Sequence, residues 1–145
     1  MSRLPVRTKP RRTKHCYVGP PAIFRLEMAV RQINEAWPHL DSFGCYLVGS
    51  CLDRPDFRDV DVRMIMRDDA FRAEFPSVDS IDHASWEHDP KWLLLTVAVG
   101  EWLGAQTGLP IDFQFNPQTW ANKHHAGARQ ALGLHYSPRR REASE

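Results

Sequence analysis

At 145 residues, 42% of them hydrophobic, the chain holds one domain's worth of sequence and enough apolar side chain for a real core. The formal net charge of +1 hides an uneven spread: residues 1–14 carry six cations and no acid, Arg139, Arg140 and Arg141 lie near the other end, and the span between is acidic. Three cysteines without CxxC spacing argue against a disulfide framework or a zinc knuckle, and no apolar run reaches the roughly 20 residues of a membrane helix.

An acidic body suits a site for cations, and basic ends suit contact with polyanions such as nucleic acid. No apolar run follows the basic start, so a signal peptide is not expected, and the expected location is the cytoplasm with reduced thiols. The composition divides the chain into a basic, flexible arm over 1–19, a domain over 20–136 and a charged tail over 137–145.

In chain order, Pro20-Pro21 precedes a helix whose apolar face is Ile23, Leu26, Val30, Ile33 and Trp37, and Pro38 closes it. Phe43 to Val48 reads as a buried strand running into Gly49-Ser50. Cys51 to Arg58 is a turn or a short helical turn plus loop. Val60 to Met66 is a second strand, and its period of two puts Val60, Val62, Met64 and Met66 on one face. Asp59, Asp61, Arg63 and Ile65 share the other.

Asp68-Asp69 offers an N-cap for a short helix ending before Pro76, and Ser77 to Trp86 reads as polar loop. Asp89-Pro90 then opens a longer helix with the stripe Trp92, Leu95, Val99, Trp102 and Leu103, closed by Gly108 and Pro110. Ile111 to Phe115 is a third strand. Pro117 to His135 is loosely helical, and its adjacent His124 and His125 read as surface residues.

The chemistry concentrates in the acids. Asp59 and Asp61 lie on one strand face about 6–7 Å apart along the backbone, at roughly 3.3 Å per residue, so their side chains can converge on a cation. Asp112 is a lone acid between Ile111 and Phe113, where an unpartnered buried carboxylate costs several kcal/mol. If its strand pairs beside Val60–Met66, three carboxylates meet on one face, a set suited to two divalent metals. Gly49-Ser50, at the end of the preceding strand, allows close backbone approach to a phosphate.

Leu47-Val48-Gly49-Ser50, Asp59-Val60-Asp61-Val62 and Ile111-Asp112-Phe113 together resemble the signature of the DNA polymerase β-like nucleotidyltransferase superfamily, over residues 22–116 and at the compact length of its minimal members. The resemblance implies an α+β fold, a small mixed β-sheet flanked by helices. It implies transfer of a nucleoside monophosphate from a nucleoside triphosphate, ATP for example, to an acceptor hydroxyl with release of pyrophosphate. Asp59, Asp61 and Asp112 would be the catalytic ligands of two Mg²⁺ or Mn²⁺ ions. Gly49, Ser50, Arg54 and Arg63 would hold the nucleotide. Minimal members often carry Ala-Arg shortly after Gly-Ser and a Ser before the first Asp; this chain has Cys51-Leu52-Asp53-Arg54 and Arg58 there. The resemblance leaves the acceptor open among a polynucleotide 3′-hydroxyl, a protein and a small molecule. Two other readings are a non-catalytic or antitoxin-type partner protein of the same fold, and a nucleic-acid-binding protein working through its basic arms.

Overall fold

The computed structural model describes residues 16–133. Its elements in order are α1 (Ala22–Ala36), β1 (Ser42–Val48), a 3-10 turn (Gly49–Leu52), β2 (Val60–Met66), α2 (Asp68–Glu74), a second 3-10 turn (Ala84–His88), α3 (Pro90–Thr107), β3 (Ile111–Pro117), α4 (Gln118–His124) and β4 (Gln130–Ala131). The four strands form one sheet in the order β3-β2-β1-β4, with β2 and β3 parallel and the pairs β1–β2 and β1–β4 antiparallel. This is the expected α+β fold with a small mixed sheet. Among the described residues no helix is long and apolar enough to cross a membrane.

The local signals that form these elements are those of the sequence. α1 buries Leu26, Ala29, Val30 and Ile33, the positions that recur every three or four residues. α3 begins where the Asp89 carboxylate accepts a hydrogen bond from Trp92 N at 3.0 Å, and it ends at Gly108 in the left-handed region at φ 75°. The parallel pairing of β2 with β3 requires a long crossover, which α2 and α3 provide. Phe71, Phe75, Trp86 and Phe115 have no exposed surface, and burying such side chains contributes about 1.5–3 kcal/mol each.

Four local expectations are corrected. The N-cap of α2 is Arg67, not an aspartate; Asp68 instead accepts from the backbone N–H and hydroxyl of Thr119, tying α2 to the start of α4. The supposed polar loop before α3 contains the second 3-10 turn and the fully buried Trp86, whose ring lies edge-on to Phe71 and Trp120. On α3 the buried positions are Trp92, Thr96, Leu103 and Thr107, while Trp102 is 36% exposed. The helix is apolar nearly all round, so hydrophobicity does not reveal which face meets the sheet. Residues after Pro117 divide into α4 and the two-residue β4, too short to leave a periodic signal.

The described chain enters ahead of the expected boundary at residue 20. Val18 is 5% exposed within the core, and Tyr17 N donates to Cys51 O at 2.7 Å. The rest of the basic arm and the whole charged tail lie outside the described residues.

Candidate metal centre

Two registers build the site. In the parallel pair, Asp61 stands opposite Asp112, and paired residues of adjacent strands project to the same face. In the antiparallel pair, Val48 stands opposite Asp61, which carries Gly49 to the edge of the same cluster. Asp59, Asp61 and Asp112 each present one carboxylate oxygen, and these oxygens lie within 4.8 Å of one another. Asp59 is exposed and the other two are half-buried. The conditional pairing of the third strand is therefore realised, and the three acids could hold a metal ion.

Gly49 is fixed by its neighbours. Its φ of +80° lies in the left-handed region, and a Cβ there would overlap Asp61 Oδ2. The turn that follows closes with Asp53 N and Arg54 N both donating to Ser50 O, at 2.9 and 3.0 Å. Ser50 is half-buried on this turn. Arg54, expected at a phosphate, lies further along, in an exposed ion pair with Asp56 at 3.5 Å.

Arg63 faces the acids from within the sheet. It is 7% exposed, and its Nη1 donates to the Asp112 backbone oxygen at 2.6 Å and to Val62 O at 3.1 Å. Its Nη2 lies 3.7 Å from Asp112 Oδ2. So placed, it acts as a fixed counter-charge, with little surface left for a ligand to touch.

Three carboxylates against one guanidinium leave two negative charges at the cluster. Two unit charges at such separations repel by about 3 kcal/mol at an effective dielectric of about 20. Burial pushes the Asp61 carboxyl above its ordinary value; Arg63 opposes that shift, and the charges of Asp112 and Asp59 reinforce it. A hard divalent cation would remove this conflict, and an all-oxygen donor set suits Mg²⁺ or Mn²⁺ rather than zinc or copper. The nearby thiol is no competing nucleophile, since burial pushes Cys51 up to about 11.

A cavity of about 240 Å³ adjoins the site between Gly49, Leu52 and Asp53 and the turn carrying His124, His125 and Ala128. Nothing in the sequence announces this cavity; of the two histidines expected at the surface, His124 is exposed and His125 is half-buried. Burial pushes His125 down to about 4, aided by the charges of Arg63, Arg129 and His124, and its Nε2 is buried without a partner. Arg129 holds this turn through His125 O at 3.1 Å and Asn122 Oδ1 at 2.8 Å. No local signal could have found this wall, because it forms where the end of α4 folds back toward β1. No protein-family model, curated protein or solved structure matches the chain.

Proposed function

We propose that the protein is a metal-dependent nucleotidyltransferase of the DNA polymerase β-like kind, joining a nucleoside monophosphate from a nucleoside triphosphate to an acceptor hydroxyl. The observation that carries this reading is the meeting of Asp59, Asp61 and Asp112 beside the glycine turn at Gly49-Ser50. The hydroxyl oxygen attacks the α-phosphorus, the bond from that phosphorus to the bridging oxygen breaks, and pyrophosphate leaves. Divalent metal, as two ions, supplies the charge that stabilises the transferring phosphoryl group and lowers the pKa of the attacking hydroxyl.

The chain's own residues orient the reactants. Asp59, Asp61 and Asp112 would together hold the metal. Ser50 and the exposed backbone of Gly49 offer hydrogen-bonding groups to the triphosphate. Arg63 holds Asp112 in place before metal enters.

Two measurements test the reading. Calorimetry with Mg²⁺ and a nucleoside triphosphate is expected to show binding that disappears without the metal. Incorporation of labelled nucleotide into an acceptor is expected to be abolished in Asp59→Ala and Asp61→Ala. Metal-independent binding, or no binding at all, would leave the fold without this activity.

A further inference from the structure

The strongest unassigned feature is the cavity beside Gly49, with the aromatic stack at its edge. Trp86 is fully buried and meets Trp120 edge-on, with ring centroids 5.3 Å apart. Trp120 in turn lies parallel to His124, at 4.1 Å between centroids and 14° between planes. One face of the His124 ring is thus covered by tryptophan, while the residue itself lines the cavity. His124 Nδ1 lies 3.0 Å from Trp120 O. A carbonyl can only accept, so in the neutral ring Nδ1 carries the proton and Nε2 remains an acceptor. The ring is held in one orientation before any ligand arrives.

The rest of the lining limits what fits. Among the described residues it contains Asp53 and no lysine or arginine, which disfavours a phosphate. His125, pushed down to about 4, is neutral at physiological pH and adds no compensating cation. The size and the aromatic ledge suit a flat, neutral heterocycle.

We infer that this cavity receives the base of the nucleotide, stacked on the exposed His124 ring that Trp120 backs. The inference rests on the nucleotidyltransferase reading and adds to it the residues that hold the base. The base then extends the existing series of rings, and the phosphates reach past the Gly49 turn toward the acids.

The test compares magnesium ATP with magnesium tripolyphosphate, which carries the phosphates and no base, by calorimetry on the full chain. His124→Ala is expected to weaken ATP binding by about tenfold or more, the scale of losing one base–aromatic stack, and to leave tripolyphosphate unchanged. His124→Phe keeps the ring and is expected to restore ATP binding. Equal loss of both ligands in His124→Ala, or ATP binding that His124→Ala leaves intact, overturns the base site while the acidic centre stands. Wild-type protein that binds neither ligand overturns the nucleotide reading and the base site together. Thermal melts of each variant separate a folding defect from a binding one, and a His124→Phe variant that melts like wild type yet fails to bind ATP also counts against stacking.

Discussion

On one face of β2, Val60, Val62, Met64 and Met66 are at most 1% exposed and belong to the hydrophobic core. On the other, Asp61 and Arg63 bring charge into the sheet beside a single apolar residue, Ile65. Both faces hang on the same ladder of backbone hydrogen bonds, and a slip of one residue would exchange them. The apolar face therefore does more than stabilise: it holds the register that keeps Asp61 opposite Asp112. The charged face gives little stability in return, since its carboxylates repel and Asp61 is held in an unfavourable setting.

The difference can be broken by substitution on each face. Met64→Ala removes a fully buried side chain and is expected to lower stability by about 2–5 kcal/mol in denaturant melts, with Mg²⁺ affinity of the folded protein unchanged. A loss of affinity with little loss of stability would mean that the two faces are not separable. Gly49→Ala is expected to act in the middle. The left-handed backbone costs an alanine about 1–2 kcal/mol, and the new methyl displaces the Asp61 carboxylate, so Mg²⁺ binding falls along with the melting temperature.

The smallest effect concerns pH and sharpens the electrostatic side of the comparison. Folding lowers His125 from an ordinary 6.5 to about 4, so its unfolded form takes up a proton first as pH falls. Its contribution is fully present above about pH 6.5 and is lost as pH falls toward 4. His125→Gln is expected to flatten that part of the stability profile of the metal-free protein. Asp61 acts with the opposite sign, since a raised carboxyl loses stability as pH rises through its folded value. A His125→Gln profile that matches wild type between pH 4 and 6.5 would show that the imidazole does not feel its surroundings as described.

Much of this contrast was readable in the chain. β2 occupies the seven residues Val60–Met66 expected from alternation, because β-branched and apolar side chains at every second position leave one solution. Asp112 stood out because nothing local explained an acid between Ile111 and Phe113, and the parallel register supplies the reason. What the sequence hid was long-range. Arg63, on the strand face of the acids, fitted either a counter-charge for them or a phosphate contact, and only the pairing with β3 sets it against Asp112, 49 positions away. His124 is exposed, as expected, but His125 is half-buried because Arg63 of β2 and Arg129 of the following turn come close to it, and neither is a neighbour along the helix. On α3, where apolar residues run almost all round, the inward face was decided by the sheet rather than by the helix.

The parallel pairing of β2 with β3 also bears on the order of events as the chain folds. β1 and β2 are near neighbours in sequence and close a short loop, whereas β3 must return across α2, the second 3-10 turn and α3 before it can align. Contacts of such separation carry the largest closure entropy and form slowly. Asp112 thus stays away from Asp59 and Asp61 while the early hairpin forms, and its repulsion with them enters only as the last strand docks. A site that resists its own assembly is built in this way by a chain that first secures the apolar contacts needed to hold it.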